Sequence, residues 1–371
     1  MSTWILRLDL PGAGPRVAIK DLIDVIGTPT TAGSRVLEAL APPAVDDAAC
    51  LAGLRAADAA IVGKANLHEL ACGGTGINPH FGTPVNPFDP NLIPGGSSSG
   101  NAVALANHEV DLAIGSDTAG SIRTPSACCG TVGVKTTQGR ISTAGVWPLA
   151  PSLDVVGPMA RDVQGVIEGM ALLDPRFAMR AVAAPTIGRV RVPDVDPAID
   201  AAIDSLLAMS EIEVIDIDLP GWDTAADAAW AVMFHEVWQV DRHLYKRDAA
   251  GLGDDVRDRL EQGREVTDAA YRAGLTGKAA WRAELAEAFT RAPVLAWPTL
   301  ARFPTRLDAP TPNTRRTNIG VNLAGHPSLA LPVPAGGPIP ASVQLVGPDH
   351  SEDLLCATGL VVEAASRTIL S

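Results

Sequence analysis

An α/β protein, with a mixed β-sheet core surrounded by helices, is the fold that the 371-residue sequence predicts, on three observations. Short apolar, β-rich runs recur along the chain with helix-like stretches between them, the pattern of a layered α/β protein. Two such runs, SLALPV (328–333) and ASVQLVG (341–347), flank the turn-rich PAGGPIP, so at least one antiparallel pair is expected in the sheet. Hydrophobic residues make up 47% of the chain and charged ones 19%, without heptads, fixed-period repeats or low-complexity tracts. A large core can form, and solenoids and coiled coils drop out.

In chain order, the first element is DDAACLAGLRAADA (46–59). Its acidic start and apolar residues at 50, 51, 54 and 57 predict a short amphipathic helix. AAIVG follows as a brief buried strand, and VDLAIG (110–115), RVRV (189–192), IEVIDIDL (212–219) and PVLAWP (293–298) read the same way. Helices are expected at 197–209 and 351–367. The stretch from about 222 to 290 is helix-like throughout and rich in Ala, Asp, Arg and Trp, so it reads as an insertion or cap on the sheet. Within it Trp230, Met233, Phe234, Val237 and Trp238 share one helix face, predicted to pack and to offer an apolar wall to a substrate.

The formal charge of −13 would repel phosphate backbones and anionic lipid, which argues against nucleic acid and membrane as partners. Arg7 and Asp9 interrupt the opening where a signal peptide needs an apolar run, and no window reaches the ~20 apolar residues of a membrane span. A cytoplasmic location is the resulting expectation. Cys50, Cys72, Cys128, Cys129 and Cys356 are odd in number and lack a C-x-x-C spacing, which suits reduced thiols and no metal site.

Three glycine-rich segments, ACGGTG (71–76), PGGSSSG (94–100) and GSDTAGS (115–121), fall within fifty residues. Any one of them alone is a tight turn. In succession they predict a site, because glycine lets main-chain N–H groups approach a ligand closely. A serine nucleophile there needs a base, and none of the seven scattered histidines stands in a motif that marks it as one. Lys20 is the alternative. Val17, Ala18, Ile19, Leu22 and Ile23 flank it, and apolar burial disfavours an ammonium ion, although Asp21 and Asp24 offer it an ordinary ion pair. If Lys20 is the base, activity should rise with pH as it loses its proton.

Two short motifs compete. VAIK (17–20) matches the kinase strand that carries the ATP-pairing lysine, but no G-x-G-x-x-G precedes it and neither H-R-D nor D-F-G follows. Gly96 to Gly100 fits the G-x-S-x-G nucleophile elbow with Ser98 as nucleophile, as in an esterase. The elbow needs a buried strand before it, and Pro90 and Pro94 argue against one.

Segments VAIKDLIDVIGTPTTAGS (17–34), 63–100 and GSDTAGSIRTPSACCGTVGVKTTQG (115–139) resemble the amidase signature family. The separation of Ser97 and Ser121, the GSIR at 120–123, SLDVVGPMARD (152–162), NLAGHPSLALPVP (322–334) and VQLVG (343–347) are also similar to that family. The resemblance implies a Ser-cisSer-Lys triad on a mixed sheet: Lys20 as base, Ser97 as relay after a cis peptide, Ser121 as nucleophile. It also implies an oxyanion hole of N–H groups from Thr118, Ala119, Gly120 and Ser121, and a substrate-side wall of Ala71, Cys72, Gly73, Gly74 and Thr75. Asp117 and Arg123 bracket the nucleophile and would fix its loop.

The implied organisation is one domain over 1–371, with a catalytic core at 17–165, a variable, mostly helical substrate-side insertion at 170–290, and C-terminal strands and helix at 291–371. The implied reaction is hydrolysis of a small primary amide, releasing ammonia through a serine acyl-enzyme, with no cofactor. GGSSSG at 95–100 is similar to the version in indole-acetamide-type amidases and allophanate hydrolases, so a urea-pathway hydrolase is the alternative. A component of a tRNA-dependent amidotransferase and a binding protein that has lost the chemistry are the other readings. Lys20 sits almost at the start, where family members usually carry a helical segment first, so a homodimer is left open.

Overall fold

The computed structural model describes residues 3–309 and 316–369. Its strands are β1 (Trp4–Arg7), β2 (Arg16–Lys20), β3 (Ala60–Ala65), β4 (Leu112–Asp117), β5 (Val132–Lys135), β6 (Val155–Ala160), β7 (Thr186–Val190), β8 (Glu213–Ile217), β9 (Val294–Pro298), β10 (Ser328–Val333) and β11 (Ala341–Val346). All lie in one sheet, ordered β1-β3-β2-β4-β6-β5-β10-β11-β9-β7-β8. The sheet is mixed: β3, β2 and β4 run parallel, as do β9, β7 and β8, while the strands between pair antiparallel. The expected antiparallel pair is β10 with β11, in register from Ser328 opposite Val346 to Val333 opposite Ala341.

The helices are α1 (Arg35–Glu38), α2 (Ala52–Ala56), α3 (Ser99–Ala106), α4 (Arg123–Cys129), α5 (Val163–Leu173), α6 (Pro197–Met209), α7 (Trp222–Asp248), α8 (Asp254–Glu265), α9 (Asp268–Arg291), α10 (Arg316–Ala324) and α11 (Glu352–Ile369). Local chemistry sets their ends. Asp196 accepts from Ala198 N with Pro197 in the first turn of α6, and Asp162 accepts from Gly165 N to start α5. Gly130 closes α4 in the left-handed conformation, at φ 67°.

Two expectations shift. The strand foreseen at 189–192 lies at Thr186–Val190, where it pairs with β8 and β9, and Pro193 lies just beyond it. Residues 170–290 divide: β7, α6 and β8 complete one edge of the sheet, and α7, α8 and α9 form the helical layer. Among the described residues no helix is long and apolar enough to cross a membrane.

Candidate active site

Parallel strands β2 and β4 end side by side, and the polar groups of the site hang from their carboxyl ends, where open α/β sheets hold ligands. Lys20, the last residue of β2, is fully buried. Its Nζ lies 2.7 Å from Ser97 Oγ, 2.9 Å from Ser116 Oγ and 3.4 Å from the Ser116 carbonyl. Ser97 stands in the turn before α3, and the Gly96–Ser97 peptide is cis. Ser98 N–H donates to the Ser121 carbonyl at 3.1 Å, which ties the Ser97 turn to the loop carrying Ser121. Lys20, Ser97 and Ser116 therefore meet through their side chains, and Ser121 is held next to them by its main chain.

The carboxylates next to Lys20 in sequence are engaged elsewhere. Asp21 pairs with Lys64 at 3.1 Å and accepts from Thr31 Oγ1; burial pushes its pKa up, against the opposing pull of Lys64 and Thr31. Asp24 accepts from Thr30 Oγ1 at 2.6 Å.

Asp117 closes β4 and organises the loop to α4. Its carboxylate accepts from the N–H groups of Gly120 (2.8 Å) and Ile122 (3.1 Å) and pairs with Arg123 at 3.0 and 2.9 Å. Burial alone would raise its pKa; the Arg123 charge and hydrogen bonds, with Lys135 and Asn322, overcome that and hold it well below the usual carboxylate range. Arg123 is itself fully buried and reaches Gln344 Oε1 (2.8 Å), Asn322 Oδ1 (2.6 Å) and the Asn318 carbonyl (3.3 Å), so residues of α10 and β11 brace the nucleophile loop. Gly120 has φ 107°, and a Cβ there would meet Asn318 Cβ at 2.7 Å. Its N–H is committed to Asp117, so of the four N–H groups expected around an oxyanion, those of Thr118, Ala119 and Ser121 remain candidates.

The 71–75 loop is fixed from two sides. Gly96 N–H donates to the Gly74 carbonyl at 2.8 Å, and His68 N–H donates to the Ser97 carbonyl at 3.1 Å, so the loop and the Ser97 turn share hydrogen bonds. Gly73 rests on the His68 ring so closely that a Cβ would lie 1.8 Å from Nε2. His68 Nε2 pairs with Asp255 at 2.9 Å and its Nδ1 lies 3.3 Å from Thr75 Oγ1. Arg259 donates to the Cys72 carbonyl at 3.0 Å and to Asp255 at 2.6 Å. Helix α8 thus clamps a loop nearly two hundred residues earlier in the chain.

Residues 9–177 and 181–356 match the family model described as Amidase. The chain belongs to the amidase family. Its reaction class is hydrolysis at amide C–N bonds. It is 36% identical over 386 residues to the 2-amino-5-chloromuconic acid deaminase of Comamonas testosteroni, covering 95% of this chain and 82% of that protein. Similarity to one subunit of the glutamyl-tRNA(Gln) amidotransferase of Thermus thermophilus is 35% identity over 406 residues, 96% of this chain and 86% of the relative. A crystal structure of an amidase superposes with a TM-score of 0.88 at 29% identity, covering 94% of this chain and 84% of that one.

In this amidase a chamber of about 230 Å³ opens beside Ser116, lined by Leu22, Ala71, Thr118, Trp147 and Asp154 among others. Asp154 is its bracing group. It accepts from Thr118 Oγ1 (2.6 Å), Leu149 N (2.9 Å) and Ala150 N (3.2 Å), which joins the nucleophile loop to the 143–156 segment. The apolar wall that the sequence predicts from Trp230, Met233, Phe234, Val237 and Trp238 lies elsewhere. None of these lines the chamber; Met233 and Val237 are buried and Trp230 stacks on Phe234 at 5.5 Å. Sequence reasoning misses Ser116, Asp154, His68 and Arg259, although Ser116 lies inside the GSDTAGS segment that it singles out. Among the described residues no group of three or more His, Cys, Asp or Glu is placed to hold a metal ion.

Proposed function

We propose that this amidase cleaves a small carboxylic amide, releasing ammonia, through an acyl-enzyme on Ser121. The observation that carries the reading is the buried contact of Lys20 Nζ with Ser97 Oγ at 2.7 Å, beside a turn hydrogen-bonded to the carbonyl of Ser121. Uncharged Lys20 takes a proton from Ser97 as Ser97 takes one from Ser121, and the Ser121 oxygen attacks the amide carbon. The N–H groups of Thr118, Ala119 and Ser121 bind the oxyanion, each donor contributing about 3–4 kcal/mol on serine-hydrolase precedent. Ser97 returns its proton to the departing amine, and water then releases the acid by the same relay.

The 71–75 loop lines the scissile amide, and Asp117 and Arg123 hold the nucleophile loop in place. The clamp from α8 supports reading the helical layer as substrate-side structure. The chamber volume supports a small acyl group over a large one. The test is fluorophosphonate labelling together with an ammonia-release screen over primary amides and ureas. Native protein should label and turn over amides, while Ser121→Ala and Lys20→Ala should lose turnover and Ser98→Ala retain it. Full activity in Lys20→Ala, or labelling that survives Ser121→Ala, refutes the reading.

A further inference from the structure

We propose that Trp147 sets the acyl-length specificity of the amidase, by walling the chamber at Ser116 off from a larger outer groove; this rests on the acyl-enzyme reading above. The groove has a volume of about 570 Å³ and is lined by Leu40, Pro42, Val45 and His243 among others. Chamber and groove share three consecutive lining residues, Val146, Trp147 and Pro148. Of these only the tryptophan has a side chain broad enough to form a partition between them.

The backbone under that side chain is pinned. Trp147 N–H donates to the Leu22 carbonyl at 2.7 Å, Asp24 N–H to the Gly145 carbonyl at 2.9 Å, and Ile23 bridges Val146. These bonds belong to the main chain, so they persist when the indole is cut away. The ring itself is half-buried and has lighter restraints: Nε1 donates to Asp241 Oδ1 at 3.2 Å, and the ring tilts against His243 at 6.0 Å between centroids. A stiff strap carrying one removable partition is a specificity device.

The volumes indicate what it selects. An apolar cavity of roughly 150 Å³ accepts benzene, so a chamber of about 230 Å³ takes a single ring or a short chain. The groove falls in the roughly 300–1,000 Å³ range of sites for larger ligands, and Leu40, Pro42 and Val45 give it an apolar lining. With the indole present, a long acyl chain meets the ring before it reaches the groove. Without it, the chain threads through and buries its methylenes there.

The experiment measures kcat/KM by ammonia release for straight-chain primary amides from acetamide to decanamide, in native enzyme, Trp147→Phe and Trp147→Ala. Native enzyme should favour the short members. Trp147→Ala should raise the long-to-short ratio by about tenfold or more, since one methylene in an apolar pocket is worth about tenfold at the low end. Trp147→Phe should fall between the two. Should Trp147→Ala not fold, a shifted ratio in Trp147→Phe supports the partition and an unshifted one overturns it. An unchanged ratio in an active Trp147→Ala enzyme also overturns it, leaving the acyl-enzyme reading intact. A native enzyme that turns over no amide sinks both.

Discussion

Asp241 should make the stability of the amidase depend on pH. The residue lies on the buried face of α7, fully shielded, with Oδ1 accepting from Trp147 Nε1 and Oδ2 without a hydrogen-bond partner among the described residues. Burial raises its pKa from 3.8 to about 8, against the Trp147 hydrogen bond and with help from Asp154 and Glu69. In the unfolded chain the same carboxyl ionises near its ordinary value. Between about pH 4 and pH 8 the folded state therefore holds a proton that the unfolded state has released, and stability falls as pH rises through that window. At ~1.4 kcal/mol per unit, a shift of about four units is worth up to ~6 kcal/mol across the window, and nothing further is lost above it.

Asp241→Asn removes this slope while keeping a carbonyl oxygen to accept from Trp147. Its amide group adds a buried donor at the Oδ2 position, a cost of about 1–3 kcal/mol that does not depend on pH. Urea unfolding of both proteins at pH 5.5, 6.5, 7.5 and 8.5, followed by circular dichroism, isolates the effect, because other titrating groups are common to both and largely cancel in the difference. The difference should move steadily in favour of the asparagine protein as pH rises to about 8, then level off. A difference that stays flat from pH 5.5 to 8.5 would show that Asp241 titrates alike in both states and refute the reasoning.

The hydroxyl of Ser116 accepts from Lys20 Nζ at 2.9 Å, so Ser116→Ala should lower kcat by about 10–100-fold with little change in KM, the effect of losing one buried hydrogen bond that strengthens as Lys20 takes up the relayed proton. Steady-state kinetics on any accepted amide reads this, and an unchanged kcat takes Ser116 out of the relay. Arg123→Lys replaces a planar fork that reaches Asp117, Asn318, Asn322 and Gln344 with a point charge, and should cost about 3–5 kcal/mol in urea unfolding together with activity. Native-like stability in that variant would mean that the lysine satisfies the buried carboxylate by itself.

What the sequence makes legible is what local chemistry dictates. The glycine and serine segments can be recognised because close main-chain approach restricts which residues fit, as at Gly73 against the His68 ring. The contacts made by α8 cannot, since Arg259 and Cys72 lie 187 residues apart and no local pattern in DDVRDRLEQGRE names its target. Strand β6 escapes a sequence reading for a different reason. VVGPMA contains a glycine and a proline, which argue against a central strand, yet it runs between β4 and β5 with Pro158 opposite Ile114.

The wall of the chamber shows how a correct pattern can lead to the wrong place. The face of α7 that its spacing predicts to pack is buried only at Met233 and Val237; its aromatic residues are half-buried and meet rings of the same helix, Trp230 stacking on Phe234 and Trp238 meeting Tyr245. The partition comes instead from Trp147, in a segment of prolines and small residues without any periodicity. Helix α7 reaches that partition through Asp241, which follows Met233 and Val237 at four-residue steps on the same buried face. A carboxyl group in an apolar stripe is the signal that packing alone does not explain, because burying one costs free energy unless something there needs an acceptor. Here that something is the indole N–H that closes the chamber.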